Sequence, residues 1–134
     1  MTQVVDFSKS AITSFTQSIT IPILGAPSSN TLTQFGLATA QGGSVLLNAT
    51  VGVQTTLGNP DLLFTITRGS TPIFTTLASA LNAGLYDPVS FSYVDSNVPA
   101  GYFAYTLTVS IVNSAVLNTA NLVGPVDFSG LSLV

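Results

Sequence analysis

Along most of this chain apolar residues recur at every second position, a period that fits strands and excludes helices with one buried face. In residues 103–112, Phe103, Tyr105, Leu107, Val109 and Ile111 share one parity, and Ala104, Thr106, Thr108 and Ser110 take the other. Aromatic and β-branched side chains at those positions suit a pleated, half-buried surface. Residues 45–54 repeat the pattern, with Val45, Leu47, Ala49, Val51 and Val53 set against Asn48, Thr50, Gly52 and Gln54. The same test predicts strands at residues 18–24, 33–39, 62–68, 72–77, 88–94 and 126–133. In the last of these Val126 and Phe128 have one parity and Leu131 and Leu133 the other, so a bulge or bend is expected at Ser129-Gly130.

Turn chemistry separates these runs: Gly25-Ala26-Pro27-Ser28-Ser29-Asn30, Gln41-Gly42-Gly43, Gly58-Asn59-Pro60-Asp61, Arg68-Gly69-Ser70, and Asp95 through Gly101 with Pro99 inside it. Short strands divided by such turns indicate a sandwich or barrel. The one helix candidate covers residues 77–85. With 134 residues the chain accommodates a single domain with a genuine core. Residues 1–16 read as an N-terminal arm or linker, because Val4-Val5-Asp6-Phe7 suits a short strand and the Ser/Thr-rich stretch after it suits a spacer. Residues 17–134 form the domain.

Composition narrows the function. Charged residues are only 5% of the chain and hydrophobic ones 46%, where about a quarter charged is usual. Every apolar run is broken within a few positions, short of the ~20 residues that a spanning helix needs, so no membrane partner is expected. Five aspartates, Asp6, Asp61, Asp87, Asp95 and Asp127, against Lys9 and Arg68 leave a net charge of −3 and no basic patch. Nucleic acid and anionic lipid are poor partners for that surface. With so little charge to keep copies apart, self-association is the favoured expectation.

The alphabet also limits chemistry. His, Cys, Glu and Trp are absent, which removes the commonest general base, the thiol nucleophile and the usual zinc ligands. No enzymatic activity, cofactor or metal is expected. The scattered aspartates lack calcium-loop spacing and suit turns. No disulfide can form, so stability must come from packing and assembly. Residues 1–20 lack a basic start followed by an apolar segment, so no secretory signal peptide is expected.

Two segments carry a resemblance. Val98-Pro99-Ala100-Gly101-Tyr102-Phe103-Ala104-Tyr105-Thr106-Leu107-Thr108-Val109 and the tail Phe128-Ser129-Gly130-Leu131-Ser132-Leu133 resemble tumour-necrosis-factor-like and complement-type head domains. A second resemblance covers nearly the whole chain. Gln3-Val4-Val5-Asp6, Leu47-Asn48-Ala49-Thr50-Val51-Gly52-Val53, Leu63-Phe64-Thr65-Ile66-Thr67-Arg68-Gly69, Pro72-Ile73-Phe74, Val94-Asp95-Ser96-Asn97-Val98-Pro99-Ala100-Gly101, Tyr105-Thr106-Leu107-Thr108 and Val123-Gly124-Pro125-Val126-Asp127-Phe128-Ser129-Gly130, in this order, look like the exosporium protein C family of endospore-forming bacteria. These resemblances imply an all-β jelly-roll sandwich with an N-terminal extended arm. They also imply a place on the spore surface, in the exosporium or an appendage. Homo-oligomers, with trimers favoured and fibres as an extension, and other exosporium proteins are the implied partners.

Candidate residues follow. Val4, Val5, Asp6 and Phe7 are read as an assembly element that either docks on an adjacent subunit or folds back as an edge strand. Arg68, the only arginine, either pairs with Asp61, Asp87 or Asp95 of a neighbouring copy or is a solvated strand end. Phe103 and Tyr105 are read as core or oligomer-axis packing, and Tyr102 as free to meet a partner or a sugar. The leading function is a structural self-assembling protomer. The alternative is a jelly-roll module that recognises a glycan or another coat protein through the loops at residues 58–61 and 95–101.

Overall fold

The computed structural model describes residues 2–79, 84, 86–113 and 115–134. These fold into nine strands: β1 Val4–Thr13, β2 Ile21–Pro22, β3 Asn30–Thr39, β4 Gly43–Leu57, β5 Asp61–Arg68, β6 Thr71–Ser79, β7 Tyr86–Val98, β8 Gly101–Ile111 and β9 Thr119–Leu133. Of the helix expected over residues 77–85, residues 77–79 end strand β6, and all the rest but Gly84 lie outside the described residues. Among the described residues no helix is long and apolar enough to cross a membrane.

The strands form two antiparallel sheets. One runs β1-β9-β4-β7 with β2 added on β9, and the other runs β3-β8-β5-β6. From β2 onward every connection except the β5–β6 hairpin passes from one sheet to the other. Two such interleaved four-strand paths are a jelly roll, the architecture expected from the sequence.

Alternation becomes burial where the sheets face each other. All five odd positions from Val45 to Val53 are buried on β4, as are Tyr105, Leu107, Val109 and Ile111 on β8. Between them Phe35 stacks on Tyr105 with centroids 5.8 Å apart and meets Phe128 at 4.7 Å. The two long edges of the sandwich close differently. At one, Ser10 of β1 hydrogen-bonds Thr33 of β3, and Asp6 Oδ2 accepts the Ala38 amide at 2.9 Å. At the other, rings close the gap: Phe74 of β6 stacks on Tyr93 of β7 at 4.7 Å, and Phe91 lies 5.3 Å from Phe64.

Three expectations are corrected. Residues 8–13 belong to β1, paired with β9 from Ser8↔Gly130 to Thr13↔Val126, and are not a spacer. The Ser10 hydroxyl and the Asp6 carboxylate on the inner face of β1 find partners on β3, so a polar segment can complete the sheet. Secondly, the strand expected over residues 18–24 shrinks to Ile21–Pro22. Pro22 has no amide to donate, and the Asn30 side chain ties the segment instead, donating to the Pro22 carbonyl and accepting from the Leu24 amide.

The third correction concerns Gly130. Pairing runs unbroken from Asn48↔Ser129 through Leu47↔Gly130 to Leu46↔Leu131, so no bulge exists there. Gly130 takes an inward position where a Cβ would lie 2.8 Å from the Phe35 ring. The irregularity of β9 sits elsewhere, between Val51↔Val126 and Val53↔Leu122. Gly124 bulges there at φ 91°, and its carbonyl approaches Gly52 so closely that a Cβ would lie 1.9 Å from it.

Candidate assembly surfaces

The charged residues divide between the inside and the outside of the sandwich. Arg68 shares the inward parity of Leu62, Phe64 and Ile66 on β5, and Asp95 that of Val89, Phe91 and Tyr93 on β7. Both therefore point between the sheets. Arg68 Nη1 donates to Asp95 Oδ2 at 2.6 Å, and the Tyr105 hydroxyl donates to the same oxygen at 2.8 Å. The guanidinium also lies over the Phe103 ring, 5.9 Å from its centroid. Asp95 is 5% exposed. Arg68 is thus neither an intersubunit bridge nor a solvated strand end, because its partner is Asp95 of its own chain. Tyr105, with no exposed surface, belongs to the core and not to an interface.

Electrostatics follow from this geometry. The hydrogen bond to Asp95 holds the Arg68 guanidinium above its usual range. Burial, followed by donation to the Asp95 carboxylate, pushes the Tyr105 phenol well above the ordinary tyrosine range. The unfolded chain releases this proton near pH ~10 while the folded chain keeps it, so stability falls as pH rises above that value. The urea midpoint should fall progressively as pH rises above about 10, with a shallower fall in Tyr105→Phe. An equally steep drop in that variant would show that Tyr105 does not cause it.

The outer face of the five-stranded sheet is different in kind. Phe7 of β1 lies opposite Leu131, Leu131 opposite Leu46, and Leu46 opposite Val94, so one apolar row crosses four strands. Phe7 is 60% and Val94 49% exposed. Val4 adds to this face opposite Leu133. The next row is polar and nearly uncharged: Lys9, Ser129, Asn48 and Ser92. Lys9 meets Asp127 across the surface at 3.6 Å. At the end of the sheet where the chain termini pair, Leu46, Val94, Leu133 and Val134 line an open groove of about 350 Å³ with Gly42 and Gly43.

Of the four assembly residues expected from the sequence, Val4, Val5 and Phe7 are exposed on β1. Asp6 turns inward and binds the Phe7 and Ala38 amides. Tyr102 lies on the outer face of the other sheet, 73% exposed, with its ring across Gly36. Leu46, Leu131 and Val94 were not singled out from the sequence. Their shared row depends on strand pairing, which alternation does not reveal.

No family model matches the chain, and no curated protein does. Solved structures do. One is the structure of infectious bursal disease virus, Gx strain, at a TM-score of 0.56 and 13% identity, covering 97% of this chain and 36% of that one. A mutant VP2 protein of the same virus, in derived particles, aligns at 0.49 with 15% identity, covering 96% and 39%. The chain thus spans well under half the length of these neighbours. The first likeness supports the fold, a two-sheet jelly roll. At this identity it carries nothing about activity.

Proposed function

We propose that this chain is a structural, non-catalytic protein of a bacterial spore surface that associates with copies of itself, in trimers and from these into fibres. The observation that carries self-association is the apolar row Phe7, Leu131, Leu46 and Val94 on the outer face of a sheet whose inner face already fills the core. Contiguous exposed apolar surface of this kind favours burial against another surface. With a net charge of only −3, copies repel one another weakly. The spore location rests on the sequence resemblance to the exosporium protein C family. Val4, Val5 and Phe7 take part through their exposed side chains on β1, not as a free arm.

Leu46→Asp and Phe7→Asp test this reading. Both side chains point away from the core, so the fold should survive. Association measured by sedimentation should weaken at least ~10-fold. Association as strong as the wild type's in both variants would refute the role of this face.

A further inference from the structure

The outer face of the four-stranded sheet carries one large ring, Tyr102, that the core does not use. It is 73% exposed, whereas Tyr105 on the same strand has no exposed surface. The ring is nevertheless fixed in place. It lies across Gly36 of β3, where a Cβ would be 2.5 Å from Tyr102 Cζ and 2.6 Å from Cε1, far inside the ordinary contact distance of carbon atoms. Pairing on β3 runs unbroken from Thr33↔Leu107 to Thr39↔Gly101, so no bulge calls for a glycine at this position. A glycine inside a strand costs stability, and what it provides here is a seat for the ring. Ala38 pairs with Tyr102 and Ala104 with Gly36, and both are too small to cover it. The result is an aromatic surface laid on the sheet, open to solvent and with little freedom left to lose on binding.

Hydrogen-bonding groups adjoin this ring without a charge among them. One step along the same face, Gln34 lies opposite Thr106, and Thr106 opposite Thr67 of β5. The Thr106 hydroxyl donates to Gln34 Oε1 at 3.0 Å, which orients the carboxamide and leaves its NH2 group as a donor. The next row crosses all four strands with Thr31, Thr108, Thr65 and Thr75. From Tyr102 to Thr108 the face extends roughly 20 Å. We propose that it binds a neutral oligosaccharide, with a pyranose ring stacked on Tyr102 and sugar hydroxyls meeting Gln34, Thr106 and Thr67. A pyranose with equatorial substituents, of the glucose or N-acetylglucosamine type, turns a flat face of C–H groups toward an aromatic ring and points its polar groups sideways. That is the complement of a ring flanked by hydroxyls and an amide. A dry protein surface is not, because burying these hydroxyls would strip them of water without supplying partners. An anionic sugar meets no cation here: Arg68 points between the sheets to Asp95, and Lys9 pairs with Asp127 on the other sheet. The site is separate from the apolar row, which belongs to the other sheet.

Calorimetric titration of the full chain with cellohexaose and with chitohexaose tests the site. At least one of the two should bind. Tyr102→Ala should weaken that binding at least ~10-fold, and Gly36→Val, which keeps the tyrosine but takes away its seat, should do the same. Tyr102→Phe preserves the ring and should retain most of the affinity. Both positions face outward, so the urea midpoints should stay near that of the wild type. A wild type that binds neither sugar would overturn the site, as would Tyr102→Ala and Gly36→Val variants that bind as tightly as the wild type. Weaker self-association of Tyr102→Ala in sedimentation, with no sugar bound by the wild type, would give this face to contacts between copies instead. A wild type that binds sugar yet stays monomeric would overturn the self-assembly reading alone.

Discussion

Replacing Arg68 by Met should cost the fold about 3–5 kcal/mol, a large share of what holds a domain of this size together. The Asp95 carboxylate would stay between the sheets, its side chain 7% exposed, with only the Tyr105 hydroxyl to compensate its charge. Asp95→Asn should cost less, about 1.5–3 kcal/mol, because it weakens two charge-assisted hydrogen bonds without stranding a buried anion. Arg68 retains 20% side-chain exposure and can turn toward water. The discriminating variant is the double change Arg68→Met with Asp95→Leu, which removes both charges and should regain most of the loss. Urea unfolding measures all three. If Arg68→Met proved as harmless as a surface substitution, the pair would not contribute to the stability of the sandwich.

Gly130→Val should destabilise by roughly 2–3 kcal/mol although valine is the better strand residue. The loss comes from packing. A Cβ at Gly130 lies 2.8 Å from Phe35 and 3.3 Å from Leu47, and Phe35 cannot retreat because Tyr105 and Phe128 hold its ring. Trimming Phe35 to Leu should therefore cost less in the Gly130→Val background than in the wild type, and a double-mutant cycle reads that coupling directly. Independent, additive losses would mean that Gly130 serves the backbone after all.

Gly130 also shows where the sequence misleads. Parity along β9 suggests a phase change, since Leu131 and Leu133 break step with Val126 and Phe128. In the fold the step is unbroken: glycine and serine occupy inward positions, and the leucines face outward. A leucine in an apolar pattern is read as core unless something else buries that face. Here the mismatch belongs to the candidate assembly surface. The main strands were legible because their inward residues are nearly all apolar, as on β4 and β8. Strand β1 was not, because Asp6, Ser8 and Ser10 face inward there, and the partners of Asp6 and Ser10 on β3 make that tolerable.

The Arg68–Asp95 pair was within reach of the same alternation. Each residue continues the apolar parity of its strand, so each is a charge placed where a hydrophobe is expected. What the chain could not show was that β5, β7 and β8 bring Arg68, Asp95 and Tyr105 to one point. The apolar row was hidden for the same reason. Phe7, Leu46, Val94 and Leu131 are scattered over the whole length, and only the order β1-β9-β4-β7 lines them up.

On the proposed function, other copies of the same chain bury the outer face that this fold leaves uncovered. Sedimentation velocity on the purified protein over a range of micromolar concentrations tests it most directly. The predicted result is a species larger than the monomer that grows with concentration and is lost in Leu46→Asp. A single monomeric boundary at every concentration would contradict it.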